Sequence, residues 1–211
     1  MNTKENILVA GANGTTGKII INILKQSEIY NPIAMVRKQE QKEHFENQKV
    51  QTILADLESD VNQTVQDADK VIFAAGSGGK NVVGVDQDGA KKMVDAAKKA
   101  NLKKFVMLSS IGTDDPSQGG DLTDYLKAKQ NADEYLRSSG LDYVIVRPGA
   151  LTNDNATGKI QTGDIAELNK GGNITRADVA KTLVEVLADK VKLNETFEIM
   201  AGDTPIKEAV Q

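Results

Sequence analysis

The amino-acid sequence predicts an α/β fold in which a doubly wound, mostly parallel sheet carries a minimal C-terminal substrate lobe. Short apolar runs alternate with longer amphipathic stretches along the chain. The apolar runs are nearly free of polar residues, which is typical of strands that helices cover on both faces. The first run leads directly into a glycine-rich turn and then into apolar residues at helical spacing. Together these observations indicate right-handed crossovers between parallel strands.

Seven apolar or β-branched runs are the predicted strands. Each is five or six residues long, the usual length of a strand. They lie at 6–10, 32–36, 50–54, 70–74, 104–108, 142–147 and 196–200. Before the last of them, residues 153–173 are polar and rich in glycine. We expect this stretch to be a loop with at most one short element.

Amphipathic stretches between the strands are the predicted helices. The first follows the glycine turn and repeats Ile and Leu at helical spacing. The fourth places Met93, Val94 and Ala97 on one face and its lysines on the other. The sequence SSG at 138–140 ends the fifth, and Asp178 lies in the first turn of the sixth, where an acid complements the helix dipole. The six helices lie at 15–26, 40–46, 59–65, 87–100, 122–138 and 176–188.

Length and composition limit the kind of protein. The 211 residues, 39% of them hydrophobic, suffice for one buried core, so we expect a single domain over 1–211 with 150–211 forming the small lobe. A net charge of −4 argues against a nucleic-acid-binding surface. The absence of cysteine excludes disulfides and thiolate zinc sites, and no apolar run approaches the length of about 18 residues that a membrane span needs. We expect a cytoplasmic protein that acts on a small molecule and binds neither nucleic acid nor membrane. The sequence indicates no oligomeric state.

Three glycines at a spacing of three follow the first strand. Gly11 permits a sharp turn, Gly14 lets the backbone approach a pyrophosphate, and Gly17 lets helix and strand pack closely. The free N–H groups of the helix start favour an anion. Asn13 stands where the common dinucleotide fingerprint has glycine, and asparagine tolerates left-handed backbone angles. A plain tight connection is the alternative interpretation. The expected cofactor contacts are Gly11, Asn13, Gly14, Thr15, Thr16 and Gly17.

The end of the second strand predicts which cofactor binds. A cofactor with a free ribose 2′-hydroxyl is normally held by an acid about 20 residues past the glycines. Arg37 and Lys38 stand there instead, and a cation suits a 2′-phosphate, so we expect NADP(H) rather than NAD(H). The alternative is a pair of exposed basic residues. Asp56 and Leu57 follow the third strand, where the acid reaches the adenine or caps a helix. Ala74, Ala75 and Gly76 follow the fourth strand and complete the predicted cofactor contacts on this side.

A serine pair and a Tyr–Lys pair suggest chemistry. Ser109 and Ser110 end the fifth strand, at the edge where open α/β sheets bind ligands. Tyr125 and Lys129 are four residues apart and share one helix face. A lysine ammonium beside a phenol favours the phenolate, so we expect Lys129 to lower the pKa of Tyr125 and prepare an acid–base group. A serine hydroxyl nearby would orient a substrate carbonyl. Exposed Tyr and Lys on a solvated helix face are the alternative.

At this point the chain resembles the short-chain dehydrogenase/reductase superfamily, in its extended or atypical branch of Rossmann-fold NAD(P)-binding proteins. The resemblance covers most of the length. It rests on GANGTTG at 11–17, AAG at 74–76, GAKKMVDAAKKANLKKFVMLSSIG at 89–112, YLKAK at 125–129, LDYVIVRPGALT at 141–152 and ITRADVA at 174–180. It implies that Tyr125 is the proton donor, that Lys129 binds the ribose, and that Ser110 (or Ser109) polarises a substrate carbonyl. It also implies that a segment beside the nicotinamide comprises Arg147, Pro148, Gly149 and Leu151.

Three departures from the family pattern stand out. Strict alignment places the family's active serine about where Ile111 stands, and an asparagine often found in the family is here Asp86. The chain is also shorter than typical extended members. The implied function is NADP(H)-dependent hydride transfer with a small carbonyl, quinone or flavin-like substrate. The alternatives are a non-catalytic NADP(H)-binding redox sensor and, with less support from so small a lobe, an enzyme resembling sugar-nucleotide epimerases. We expect no metal site, and His44 is predicted to be a surface residue.

Overall fold

A computed structural model of the protein describes residues 4–163 and 172–211, and it has the predicted doubly wound architecture. All seven predicted strands are present, with ends that differ by a few residues at most. The strands are β1 Glu5–Ala10, β2 Tyr30–Val36, β3 Gln51–Leu54, β4 Lys70–Phe73, β5 Lys104–Leu108, β6 Tyr143–Pro148, β7 Ala150–Thr152, β8 Lys159–Thr162, β9 Asn173–Thr175, β10 Glu195–Ala201 and β11 Thr204–Pro205. The helices are α1 Thr15–Lys25, α2 Gln39–Glu46, α3 Ala90–Lys99, α4 Thr123–Ser138, α5 Arg176–Glu185 and α6 Ile206–Ala209.

Among the described residues, nine strands form one central sheet in the order β11-β8-β10-β6-β5-β4-β1-β2-β3. The strands from β10 to β3 in this order are parallel to their neighbours, and β8 and β11 add an antiparallel edge. Chain order reverses at β1, which has β2 on one side and β4 on the other. In such sheets ligands bind in the crevice beyond the carboxyl ends of the strands at this reversal.

Helices cover both faces of the sheet, and alternating strand residues point to each. Ile7 and Val9 pack in one cluster of buried residues with α1 and α5, whereas Leu8 and Ala10 pack in another with α3 and α4. Both faces of β1 are therefore apolar, which explains its unbroken apolar sequence.

Two buried lysines fix the direction of α5. Lys70 and Lys104 begin β4 and β5, and their ammonium groups donate to main-chain oxygens that follow the carboxyl end of α5, at 3.0 Å to Leu187 and 2.7 Å to Ala188. The carboxyl end of α5 thus lies at the amino edge of the sheet. Its first residue, Arg176, consequently lies at the carboxyl edge, where the ligand crevice is.

Two helices differ from the sequence predictions, and the two short strands β7 and β9 were not predicted. The helix predicted at 59–65 is only a 3-10 turn, Asn62–Val65, and the helix predicted from residue 87 is preceded by a π-helical segment, Val82–Gly89. The Asn81 side chain accepts from the Gly84 N–H at 3.0 Å and starts this segment. The stretch 153–173, predicted as a loop with at most one short element, contains the short strand β8 and the first residue of β9, and its residues 164–171 lie outside the described part of the chain. The three-residue strands β7 and β9 pair separately from the central sheet, and they are too short for a periodic sequence signal.

Candidate functional site

The glycine turn after β1 is built by close backbone contacts. Gly11 has φ +85°, and a Cβ placed on it would lie 2.6 Å from the Ala75 main-chain nitrogen. A Cβ on Gly17 would lie 2.1 Å from the Gly11 carbonyl oxygen. Only glycine fits at these two positions. A Cβ on Gly14 would lie close to the Gly11 oxygen, at 3.2 Å, and would meet no other atom, so the space beside Gly14 is otherwise open.

That open space lies at the amino end of α1. Gly14 is the N-cap residue of the helix, so no side chain caps the helix N–H groups. The first turn of the helix carries no acidic residue. Helix N–H groups without a capping side chain, together with the positive end of the helix dipole, suit an anionic group. The sharp turn predicted at Gly11 and the close packing predicted at Gly17 are present, and the residues at the start of α1 fit the pyrophosphate of a dinucleotide.

A first cavity of about 340 Å³ runs from this turn to the ends of β2 and β3. Arg37, Asp56 and Leu57 line it, together with Gly11, Asn13, Gly14, Ala75 and Gly76. Lys38 does not line it, and its ammonium lies 3.6 Å from the carboxylate of Glu40 on the surface. The Asp56 carboxylate accepts from the main-chain N–H of Glu58 at 3.0 Å, so it caps a turn rather than a helix. Arg37 is the cation of the predicted pair that faces the cavity.

A second cavity of about 530 Å³ continues from the same turn towards α4 and α5. The residues Gly14, Ala75 and Gly76 line both cavities. Tyr125 and Lys129 line the second one, and so do Thr15, Thr16, Ala74, Ser109, Leu151 and Arg176. The glycine turn and the Tyr–Lys pair, more than a hundred residues apart in sequence, thus share one crevice.

Lys129 is almost completely buried, and oxygen atoms hold its ammonium. Its Nζ donates to the main-chain oxygen of Leu108 at 3.0 Å and lies 3.9 Å from Oδ1 of Asp86. The other oxygen of Asp86, which is also buried, accepts from the main-chain N–H of Ser77 at 2.9 Å. Burial lowers the pKa of Lys129, and the carboxylates of Asp86 and Asp133 oppose that shift. Asp86 is therefore a residue of the site that the sequence indicated only as a departure from the family pattern.

The prediction that the pKa of Tyr125 is lowered is wrong in direction. Burial, followed by the negative charge of Asp86, raises the pKa of Tyr125 to about 12, while a hydrogen bond with Ser110 acts in the opposite sense. The ammonium lies 5.8 Å from the centroid of the phenol ring and is bound by Leu108 and Asp86. The charge of Asp86 faces the phenol as well, so the phenol stays protonated.

The two serines that follow β5 have different partners in the structure. The Ser109 hydroxyl is buried and donates to the Asp133 carboxylate at 2.9 Å. The Ser110 hydroxyl donates to the Ile111 main-chain oxygen at 3.1 Å and is also hydrogen-bonded with the phenol of Tyr125. Ser109 lines the second cavity but is engaged in holding α4 to the sheet, whereas Ser110 lines neither cavity and is the serine beside Tyr125.

The predicted nicotinamide segment is only partly at the cavity. Leu151 lines the second cavity, whereas Arg147, Pro148 and Gly149 line neither. Arg147 is buried and its guanidinium lies 3.0 Å from Asp133, 2.7 Å from Asp114 and 3.6 Å from Glu198. The position of Arg147 gives no support to a direct contact with the cofactor.

Pro148 and Gly149 act through their main chain. The Pro148 oxygen accepts from the N–H of Ile111 at 3.1 Å, and the Gly149 N–H donates to the Ile199 oxygen at 3.0 Å. These bonds join the end of β6 to the loop after β5 and to β10. They hold the backbone that leads to Leu151.

Comparison with known proteins places the chain in a family. The family model described as NAD(P)H-binding matches residues 11–190. The chain belongs to this NAD(P)H-binding family. A relative from Bacillus subtilis (strain 168), named as the uncharacterized sugar epimerase YhfK, is 37% identical over 97% of this chain and 98% of its own.

Solved structures agree with that assignment. One from Bacillus halodurans, described as a candidate NAD-dependent epimerase/dehydratase, superposes with a TM-score of 0.92 at 39% identity over 98% of each chain. Another, described as the oxidoreductase ylbE from Lactococcus lactis, has a TM-score of 0.87 at 34% identity and covers 97% of this chain and 94% of its own. The extended or atypical Rossmann placement predicted from the motifs is confirmed.

Two further findings concern the described residues only. Residues 4–163 and 172–211 contain no group of three or more His, Asp or Glu side chains placed to hold a metal ion. Within the same ranges, no helix is both long enough and apolar enough to cross a membrane.

Proposed function

We propose that the protein is an NADP(H)-dependent oxidoreductase acting on a small carbonyl, quinone or flavin-like substrate. The observation that carries the proposal is the shared crevice: Gly14 lies at the junction of both cavities, and Tyr125 and Lys129 line the second. A dinucleotide bound along this edge would have its pyrophosphate at the start of α1 and its two ends in the two cavities. When bound, NADP(H) supplies the hydride.

The preference for NADP(H) is proposed from Arg37. Arg37 lines the first cavity at the end of β2, where the cofactor ribose is held in folds of this class. Its main-chain N–H donates to the Gln41 side chain at 3.2 Å, which fixes the start of α2 beneath it. A guanidinium at this position suits a 2′-phosphate, because arginine binds phosphate through two parallel hydrogen bonds.

Side chains of this protein would then donate the proton and orient the substrate. In this proposal Tyr125, protonated at neutral pH, donates its proton to the substrate oxygen, and Ser110 beside it orients that oxygen. Lys129 holds the ribose side of the crevice, with its ammonium positioned by Leu108 and Asp86. Because the phenol is the protonated form, reduction is the direction that we expect to be faster.

A second candidate function is a non-catalytic NADP(H) sensor. It is favoured by the raised pKa of Tyr125 and by the engagement of Lys129 with Asp86, because both features oppose formation of a reactive phenolate. An epimerase-like activity is suggested only by the descriptions of the two relatives from Bacillus, and the second cavity of about 530 Å³ leaves modest room for a nucleotide sugar.

Oxidation of NADPH, followed by absorbance against a panel of carbonyls, quinones and flavins, separates these candidates. The oxidoreductase requires turnover with at least one class, with NADPH preferred to NADH. Tight NADPH binding with no turnover across the panel would favour the sensor and contradict the oxidoreductase. Preference for NADH would contradict the assignment of Arg37.

A further inference from the structure

The second cavity contains a cation that no carboxylate of the described chain neutralises. Arg176, the first residue of α5, lines this cavity together with Tyr125. Its Nη1 donates to the Leu151 main-chain oxygen at 3.2 Å and to Oδ1 of Asn153 at 2.9 Å. Both acceptors are neutral, and across residues 4–163 and 172–211 no carboxylate lies within 4.0 Å of the guanidinium.

The neighbouring cations differ from Arg176 in this respect. Lys129 has Asp86, and Arg147 has three carboxylates around it. The acid closest to Arg176 in sequence, Asp178, is engaged elsewhere: it accepts from the main-chain N–H groups of Thr157 and Gly158 at 2.9 Å and 2.8 Å. Arg176 therefore presents a positive charge to the cavity without a counter-charge from these neighbours.

The helix dipole does not account for a cation at this position. A cation in the first turn of a helix faces the positive end of the helix dipole and is disfavoured there. The two bonds from Nη1 hold the side chain in place and leave Nε and Nη2 without an acceptor among the described residues. Those free donors match the two oxygens of a carboxylate or phosphate group.

We propose that Arg176 binds an anionic group, a carboxylate or phosphate, on the substrate whose oxygen faces Tyr125. This inference rests on the proposed function and adds a substrate class to it: a reducible compound with an apolar body and one anionic end. The apolar part of the cavity wall is formed by Leu108, Leu122 and Leu151. Leu122 is 58% exposed although it is a large apolar residue at the cavity, and an apolar ligand would cover it.

The cofactor is the other possible source of an anion in this cavity. Thr15 and Thr16, at the start of α1, line the same cavity as Arg176. Both sources offer the same chemistry, an oxyanion that accepts from a guanidinium. The experiment therefore measures cofactor affinity and anion affinity separately.

The test uses 4-(trifluoromethyl)benzoate as an anionic probe and 4-(trifluoromethyl)benzamide as its neutral match, with binding to the NADP-saturated full chain followed by ¹⁹F NMR. Wild type should bind the benzoate at least about tenfold more tightly than the benzamide. Arg176→Gln should abolish the preference for the benzoate and leave the affinity for NADPH within about twofold. Arg176→Lys keeps the charge but loses the paired donors of the guanidinium, so it should retain part of that preference.

A readout in wild type covers the case in which the glutamine variant does not fold. The benzoate should shift the ¹⁵N resonance of the Arg176 Nε–H, assigned through Arg176→Lys, and the benzamide should not. Absence of a benzoate preference, or a preference that survives Arg176→Gln, overturns the proposal. So does a loss of NADPH affinity in Arg176→Gln with the preference unchanged, which would assign Arg176 to the cofactor. None of these measurements requires turnover, so a failure of the proposed reaction gives a different result from a failure of the anion site.

Discussion

Two glycines of the turn after β1 should respond in opposite ways to the same substitution. Gly17→Ala places a Cβ 2.1 Å from the Gly11 oxygen and 2.9 Å from the Ala12 Cα, both main-chain atoms that cannot move without shifting β1 against α1. Gly14→Ala places a Cβ 3.2 Å from the Gly11 oxygen and near no other atom. The first change should damage the fold, and the second should damage only cofactor binding.

The expected magnitudes follow from those distances. Overpacking in a protein core costs about 1–3 kcal/mol, and the contact at Gly17 should cost at least the upper value of that range. The Tm of Gly17→Ala should therefore fall by about 6–12 °C in a chain of this size. Gly14 has φ −67°, which alanine adopts freely. Replacing glycine by alanine at a helix N-cap should cost about 1 kcal/mol or less. The affinity of Gly14→Ala for NADPH should nevertheless fall by at least about tenfold, because the new methyl group occupies the approach to the helix N–H groups.

Thermal unfolding by circular dichroism and NADPH titration by nicotinamide fluorescence give both quantities for each variant. Equal Tm values for wild type and Gly17→Ala would refute the packing argument. An unchanged NADPH affinity in folded Gly14→Ala would refute the location of the pyrophosphate.

Four further variants test other parts of the account. Arg37→Ala should weaken NADPH binding by about tenfold or more and leave NADH binding unchanged, since only the former carries the 2′-phosphate; equal losses for both cofactors in parallel titrations would remove Arg37 from that role. Arg147→Met should lower the free energy of unfolding by about 3–5 kcal/mol in urea, because it leaves buried Asp133 without its cation, whereas Asp114→Asn, at the exposed end of the same cluster, should cost under about 1 kcal/mol. Burial raises the pKa of Asp178, but hydrogen bonds from Thr157, Gly158 and Thr175 outweigh it and lower the pKa from its ordinary 3.8. A pKa that is lower in the folded than in the unfolded state stabilises the fold at higher pH, so Asp178→Asn should be less stable than wild type by about 1.5–3 kcal/mol at pH 7. The difference in stability should shrink as the pH falls through 3.8 and below. A difference that is constant with pH would contradict the carboxylate's role.

Much of the fold could be predicted from the sequence because short local residue patterns indicate the strands and the glycine turn. The apolar runs that became the seven predicted strands need no partner to be recognised, and Gly11 and Gly17 occupy positions where the backbone leaves no room for a side chain. The π-helical segment at Val82–Gly89 was missed, because its start depends on one side-chain bond from Asn81.

The site was harder to predict because its electrostatics come from distant residues. Lys129 was predicted to lower the pKa of Tyr125, but burial of the phenol, followed by the charge of Asp86, raises it instead. Asp86 lies 43 positions before Lys129 in the sequence and 3.9 Å from its ammonium. Arg147 was predicted at the cofactor from its motif, and three carboxylates that are spread along the sequence from Asp114 to Glu198 hold it elsewhere. Charge pairing of this kind depends on the fold, and a single sequence gives no pattern for it.

Ser109 and Ser110 show a second limit of prediction. One residue at the end of a strand decides which face a side chain takes. The sequence left both hydroxyls open for the same role, and the structure binds Ser109 to Asp133 and places Ser110 beside Tyr125.

The central claim is that the phenol of Tyr125 supplies the proton when NADPH reduces a substrate in the second cavity. Single-turnover oxidation of NADPH, measured by stopped flow with the best substrate of the panel, tests it in wild type and Tyr125→Phe. The claim predicts that the rate falls by at least about a hundredfold in Tyr125→Phe while the Kd for NADPH stays within about twofold. An equal rate in the two proteins would contradict it.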